Sequence, residues 1–307
     1  MSAQIIDGAA VSAAIRADLT RRVAALRQRG FNPGLAFVIV GDNPASISYV
    51  RGKARACEET GLRSETFRLA EQTSQADLLA LVEKLNRDPA WHGMIVQVPL
   101  PPQIDPDVVA MTIDPEKDAD AVHPFNLGRV LAGMPGPKPC TPAGIQELLL
   151  RTGNDPSGRH VVIVGRSNIV GKPLAALLMQ KQPGANATVT ICHTGTRDLG
   201  THTSRADILV AAVGKASAIT ADMVKAGAVV IDVGNNRIAD PSRKSGSRMV
   251  GDVDFDAVRE VASWITPVPG GVGPMTVTML LSNTVAAAER SAAVPAGEAM
   301  NQLPSPR

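Results

Sequence analysis

His160-Val-Val-Ile-Val-Gly165-Arg-Ser-Asn-Ile-Val-Gly171-Lys-Pro173 decides the reading of this chain. Its short β-branched opening predicts a buried parallel strand. Gly165 and Gly171 bracket a turn, Pro173 suits the first turn of a helix, and Leu174 to Met179 continues that helix. Such a unit turns backbone N–H groups and the positive end of a helix dipole toward an anion. Five residues separate the glycines, and Pro173 replaces the hydroxyl of a nucleotide-triphosphate loop, so that loop is disfavoured. The spacing is not G-x-G-x-x-G either, and taken alone the turn is equally an ordinary strand-to-helix connection.

The flanking sequence adds to it. Further strands are predicted at Ala187–Cys192, Asp207–Val213 and Ala228–Val233, the last two running into Gly214 and Gly234. Apolar strands ending in glycine describe a doubly wound parallel sheet with its ligand along the strand C-termini, and a dinucleotide is the leading candidate. At the end of the second strand a cofactor with a free ribose usually meets Asp or Glu. Here the chain reads His193-Thr194-Gly195-Thr196-Arg197, and Arg166 sits in the glycine turn, so NADP is favoured over NAD.

The 307 residues are enough for two domains, and 44% hydrophobic residues are enough for a sizeable core. A net charge of +2 without a block of Lys or Arg points to neither nucleic acid nor a membrane surface. The three cysteines (Cys57, Cys140, Cys192) are far apart and form no C-x-x-C, which fits a reducing cytosol and no structural zinc. Charges at Asp7, Arg16 and Asp18 interrupt any signal-peptide core before Gly30, and no apolar run is long enough to span a bilayer. The expectation is a soluble cytoplasmic protein.

Taken in order, Gly8 to Arg29 is helical by period and ends at Gly30, and Leu35–Val40 is a buried strand. Pro44 opens a helix to about Thr60 that carries Tyr49 and Lys53, four apart and so on one face. Spacing alone favours the plain reading, a half-buried tyrosine beside an unrelated surface lysine. Arg63–Leu69 alternates as a strand, and Ser74 to Arg87 is a helix capped by Ser74 or Thr73. A further strand from His92 ends at Gln97, before prolines that cannot continue a ladder. An amide there is equally a functional group or a capping amide.

Asp114 to Asn126 reads as an acidic loop. It fails as a calcium loop, because Val122 holds a ligand position, His123 replaces the turn glycine and Arg129 the closing Glu; no metal site is expected. Lys138-Pro-Cys-Thr141-Pro142 reads as a domain junction, with Thr141 capping a helix to about Arg151. Ser242–Arg248 reads as a polar loop, Ser263–Pro274 as a rigid glycine-rich turn, and Thr276–Glu289 as a helix packing back on the first domain. Ser291 to Arg307 is small, Pro-containing and aperiodic, and is expected to be disordered.

Five motifs in register carry a family resemblance: Tyr49-Val-Arg-Gly-Lys53, Val96-Gln97-Val98-Pro99-Leu100-Pro101, Lys117-Asp118-Ala119-Asp120, Gly165 through Pro173, and Pro269-Gly-Gly-Val-Gly-Pro-Met-Thr276. From about Ile5 to Arg290 the chain resembles the bifunctional methylenetetrahydrofolate dehydrogenase/methenyltetrahydrofolate cyclohydrolase family. The resemblance implies two α/β domains with a cleft between them, the C-terminal one Rossmann-like. The expected division is a folate-binding catalytic domain over 1–140, completed by a returning helix over 274–291, an NADP-binding domain over 141–273, and a tail over 292–307. It implies tetrahydrofolate derivatives as substrates and a homodimer.

The family's catalytic lysine falls on Lys53, its stacking tyrosine on Tyr49, the glutamine that tunes the lysine on Gln97, and the carboxylate that holds the pterin on Asp120. Val96, Val98, Pro269, Gly270, Gly271 and Gly273 are the further substrate-binding candidates. Gly165, Arg166, Ser167, Val170, Gly171, Thr194 and Asn235 are the cofactor candidates. The chain departs from the family at Ala121, where glycine often stands, at Thr194-Gly195, where serine and a basic residue often stand, and at Asn235, usually apolar.

The residue types agree with the chemistry implied. Oxidising a methylene bridge between two nitrogens by hydride loss needs alignment rather than a protein base. Hydrating the resulting cation and opening the ring needs proton transfer, which suits an amine held by a neutral amide. Three other readings stand beside this one: a monofunctional dehydrogenase of the same family, an NADP dehydrogenase acting on a hydroxy or amino acid, and a non-catalytic dinucleotide-binding regulator. The intact Lys53 and Asp120 argue against the last.

Overall fold

The structure, a computed structural model, describes residues 2–243 and 246–293. In chain order it runs β1 (Gln4–Ile5), α1 (Gly8–Gln28), β2 (Gly34–Val40), α2 (Pro44–Thr60), β3 (Arg63–Leu69), α3 (Gln75–Arg87), β4 (Gly93–Val96), α4 (Pro106–Thr112), α5 (Pro124–Leu131) and α6 (Cys140–Arg151). It continues β5 (His160–Val164), α7 (Gly171–Leu178), β6 (Thr188–Cys192), α8 (Leu199–Thr203), β7 (Ile208–Ala211), β8 (Val229–Asp232), β9 (Asn236–Ala239), β10 (Ser247–Val250), α9 (Phe255–Arg259), β11 (Trp264–Ile265) and α10 (Val272–Ala293).

The described residues divide into two compact units: those up to Arg16 with Asp120–Leu280, and Ala17–Ala119 with those from Leu281 on. By contacts, residues 1–16 and 120–139 go with the segment that follows residue 140. The physical reasons are β1, which pairs in parallel with β11 (Gln4 beside Trp264, Ile5 beside Ile265), and α5, which packs on α7 through Val130, Ala176 and Leu177. Both join the larger unit. The aperiodic tail falls, from residue 294 on, outside the described residues.

The larger unit holds a six-stranded parallel sheet in the order β1-β11-β8-β7-β5-β6. Its central strands β5, β7 and β8 are almost wholly buried, which their unbroken β-branched runs require when both faces are covered. The order turns about β5, with β6 on one side and β7 on the other. The smaller unit holds a three-stranded parallel sheet, β3-β2-β4, which turns likewise about β2. All seven residues of β2 are buried, and Ala36, Val38 and Val40 pack with Leu78, Val82 and Leu85 of α3. Burying each of these Val and Leu side chains stabilises the fold by about 1.5–3 kcal/mol.

Local chemistry sets the helix limits. The Asn43 side chain accepts from Ala45 N and Ser46 N, Pro44 fills the first turn of α2, and Gly61 closes it at φ 78. Ser74 caps α3 through Asp77 N.

Several expectations are corrected. Thr141 does not cap α6: that helix starts at Cys140 without a side-chain cap, and the Thr141 hydroxyl bonds that of Thr276 instead. Pro173 does stand in the first turn of α7, as its third residue after Gly171 and Lys172. The loop read over Asp114–Asn126 gives way at Pro124 to α5, capped by His123 Nδ1 accepting from Phe125 N. Ser247 and Arg248 belong to a hairpin strand, β10 against β9, and Trp264 and Ile265 to a sheet strand.

Candidate active site

In the smaller unit the crevice of a parallel sheet opens where the strand order turns, outside the C-termini of β2 and β4. Gln97 follows β4 there, and its backbone N donates to Val38 O of β2 at 2.9 Å. The helix that leaves β2 carries Lys53. Lys53 Nζ donates to Gln97 Oε1 at 3.2 Å, while Gln97 Nε2 donates to Val98 O at 2.7 Å. The amide nitrogen thus faces the chain and its oxygen faces the lysine nitrogen.

Tyr49 stands one turn before Lys53 and is 59% exposed, because the adjacent Val50 takes the buried face of α2. An exposed aromatic ring offers a face to a flat ligand. Val96 is half-buried and Val98 exposed beside Gln97. Ser46, one turn before Tyr49 and Val50, is buried, and its Oγ has no hydrogen-bond partner among the described residues. It was not a candidate from sequence, where it reads as an ordinary first-turn serine.

In the larger unit the same rule points to the crevice between β5 and β7. Gly165 follows β5 at φ 135, and its N donates to Cys192 O at 2.8 Å. A Cβ on Gly165 would strike the carbonyl oxygen of Ala212, just past β7, and a Cβ on Gly171 would strike that of Gly165. The glycines are there because backbone approaches backbone, which leaves N–H groups rather than side chains at the mouth of the turn. Ser167 Oγ accepts from Val170 N at 3.1 Å, and Lys172 Nζ donates to Asn168 Oδ1 at 2.7 Å. Arg166 and Ser167 are exposed; Val170 is buried against the turn.

Thr194 is exposed in the turn after β6, the neighbour of β5. That turn is held internally: His193 N donates to Thr196 Oγ1 and Gly195 N to His193 Nδ1. Its first carboxylate is Asp198, at φ 49. Asn235 is exposed after β8, two strands from β5. A cradle of backbone N–H groups with an exposed arginine and no carboxylate beside Thr194 fits a dinucleotide bearing an extra phosphate.

Asp120 is half-buried in the larger unit, and its carbonyl accepts from Cys140 N. The Ala121 beside it sits at φ 57, a left-handed conformation that glycine adopts at less cost. Pro269, Gly270, Gly271 and Gly273 lie between β11 and the first turn of α10 in that same unit. The structure thus joins Lys53 to Gln97, with Tyr49 one turn before Lys53 on α2, and gathers the Gly165–Gly171 candidates in one turn. Asp120 and the Pro269–Gly273 segment belong by contacts to the other unit from Lys53.

Two residues absent from the sequence candidates stand out at the end of β8. Asp232 and Asp252 are buried carboxylates, 2% and 0% exposed, and each is ringed by backbone N–H groups. Burial pushes the Asp232 carboxyl up to about 6, against the pull of three backbone donors and with the help of the Asp252 charge. Only Gly251 pressed against Asp232, a contact invisible in sequence, would have signalled them.

A parallel sheet that turns its strand order at a glycine cradle is the architecture of dinucleotide-binding enzymes, and the comparisons narrow that class. Residues 6–120 match the tetrahydrofolate dehydrogenase/cyclohydrolase catalytic domain, and residues 139–292 the NAD(P)-binding domain of the same family. A bifunctional protein FolD from Polaromonas naphthalenivorans is 56% identical over 290 residues, 94% of this chain and 100% of that one. The crystal structure of the bifunctional FolD of Campylobacter jejuni is 45% identical with a TM-score of 0.89, covering 94% of this chain and all of that one. The Trypanosoma brucei enzyme, solved with NADP cofactor and an inhibitor, is 42% identical with a TM-score of 0.88 over 96% of this chain and 100% of its own.

This chain belongs to the tetrahydrofolate dehydrogenase/cyclohydrolase family and carries both of its domains. The bifunctional reading is accordingly favoured over the monofunctional one. Among the described residues no helix is long and apolar enough to cross a membrane.

Proposed function

We propose that this chain oxidises 5,10-methylenetetrahydrofolate to the 5,10-methenyl cation with NADP and then hydrolyses that cation to 10-formyltetrahydrofolate. The observation that carries the reading is the Lys53 Nζ–Gln97 Oε1 hydrogen bond at the strand-end crevice, one helical turn from the exposed Tyr49 ring. In the first step the bridging carbon loses a hydride, and the adjoining nitrogens stabilise the cation. Bound NADP supplies the hydride acceptor. Gly165, Arg166, Ser167, Val170, Gly171, Thr194 and Asn235 would hold it, with Arg166 the residue that would meet the extra phosphate.

In the second step water adds to the methenyl carbon, the bond from that carbon to N5 breaks, N5 takes a proton, and one proton is released. Lys53 moves the proton and Gln97 holds the amine in place. Tyr49 stacks on the pterin. Asp120 accepts from the pterin amino and ring N–H groups. Val96, Val98, Pro269, Gly270, Gly271 and Gly273 complete the folate contacts.

The domain assignment follows the chemistry: 1–140 with 274–291 serve the folate, and 141–273 serve the cofactor. The enzyme works as a cytoplasmic homodimer, and its product supplies formyl groups for purine biosynthesis.

An absorbance assay tests the reading. The protein should reduce NADP with methylenetetrahydrofolate and not with hydroxy acids, and should then speed methenyltetrahydrofolate decay above the uncatalysed rate. NADP reduction without that acceleration would leave a monofunctional dehydrogenase.

A further inference from the structure

Asp252 uses its whole acceptor capacity on backbone and amide donors. Its Oδ2 accepts from Val213 N at 2.5 Å and Gly214 N at 2.9 Å; its Oδ1 accepts from Lys215 N at 3.0 Å and Asn236 Nδ2 at 2.8 Å. Three successive N–H groups converging on one carboxylate form an anion nest whose anion is built into the chain. A fully buried carboxylate is costly unless donors of this kind surround it.

The place matters. Val213 follows Ala212, whose carbonyl oxygen closes on Gly165, so the 213–215 turn borders the crevice between β5 and β7. Asn236 opens β9, next to Asn235. One carboxylate therefore ties together the turns that follow β7 and β8.

Asp252 is itself held in position. Asp232, the last residue of β8, accepts from Gly234 N and Asp252 N on Oδ1, at 2.9 and 2.8 Å, and from Val253 N on Oδ2 at 3.0 Å. Asp232 N donates to Thr266 Oγ1 at 2.7 Å. Gly251 has no room for a Cβ, which would strike the Asp232 carboxylate. The order of support runs from β8 through Asp232 to the 251–253 turn, and from Asp252 to the crevice.

We propose that Asp252 is a positioning residue for the dehydrogenase half-reaction, fixing the 213–215 turn in the shape the bound dinucleotide needs before the cofactor arrives. The inference rests on the NADP-dependent reading above. It deepens that reading, because neither Asp252 nor the turn it holds is among the cofactor contacts assigned there.

Asp252→Asn keeps the shape but turns an NH2 group toward N–H donors, so the turn must rearrange. NADP affinity by calorimetry should fall about tenfold or more, with KM for NADP rising in step. KM for methylenetetrahydrofolate should hold. Cyclohydrolase turnover, which needs no NADP and depends on Lys53 in the other unit, should stay within about twofold. NADP affinity within about twofold of the parent overturns the inference, and so does an equal fall in both activities, which marks a purely structural role.

Should the variant fail to fold, hydrogen exchange on the parent protein decides. Amides 213–215 that are slow before NADP and no slower after it support a prearranged turn; amides that slow only on binding overturn it. A parent that neither binds NADP nor reduces it with methylenetetrahydrofolate sinks the functional reading and this inference with it. A parent that does both, matched by Asp252→Asn, sinks this inference alone.

Discussion

Asp232 makes a pH-dependent difference that can be worked out in advance. Its carboxyl is raised from 3.8 to about 6, by burial first and by the Asp252 charge as well. A carboxyl whose pKa is raised by folding binds its proton more tightly in the folded chain. Its favourable contribution is therefore complete below the unfolded value and is lost as pH rises through about 6. At ~1.4 kcal/mol per unit the full loss is about 3 kcal/mol, of which about 2 kcal/mol falls between about pH 4.5 and about pH 7.5.

Asp232→Asn removes the titration while leaving one oxygen to accept from Gly234 N and Asp252 N. It sets an NH2 against Val253 N, at a constant cost of about 1–3 kcal/mol. Urea unfolding of parent and variant, followed by circular dichroism at each pH, gives the difference directly. The parent's advantage should shrink by about 2 kcal/mol from about pH 4.5 to about pH 7.5. A flat difference, or one that grows with pH, would refute the reasoning and show that the three backbone donors outweigh burial.

Arg166→Ala should weaken NADP by about 1.5–3 kcal/mol, the loss of a charge-assisted contact, and NAD much less; equal losses in calorimetry contradict the 2′-phosphate contact. Gly171→Ala drives a Cβ into the backbone of Gly165 and Arg166, which no rotamer can relieve. It should cost about 1–3 kcal/mol in stability and most NADP affinity while cyclohydrolase turnover persists, as melting temperature, calorimetry and rate together would report. Asp120→Ala should lower both activities and folate affinity together; unchanged folate binding makes it a loop carboxylate only.

What could be read from the chain was local. Pro44–Thr60 and Arg63–Leu69 are legible because Pro44 and Gly61 mark the ends of the helix and alternation marks the strand. The glycine cradle is legible because Gly165 and Gly171 flank a buried β-branched strand and a helix start. Short pieces were not: β1 and β11 have two residues each, too few for any period, and exist through their pairing. The β9–β10 hairpin has four residues in each strand and no fully buried residue, and the polar run Ser242–Arg248 that enters it reads as loop.

Long-range contacts divide the same way. Lys53 and Gln97 are 44 residues apart, and spacing alone does not pair them; the family resemblance does. Asp252 meets donors as far as 39 residues away. Nothing nearby in sequence says that its partners are backbone N–H groups.

The central claim is that one chain performs two reactions and that Lys53 serves chiefly the second. Lys53→Met keeps the apolar stem and removes the amine that donates to Gln97 Oε1 at 3.2 Å. Both reactions are to be measured on one preparation, with uncatalysed methenyltetrahydrofolate hydrolysis subtracted. Hydrolysis should fall about 10²–10⁴-fold, the worth of a positioned acid–base group, and NADP reduction should fall much less. Hydrolysis at the parental rate would contradict the account.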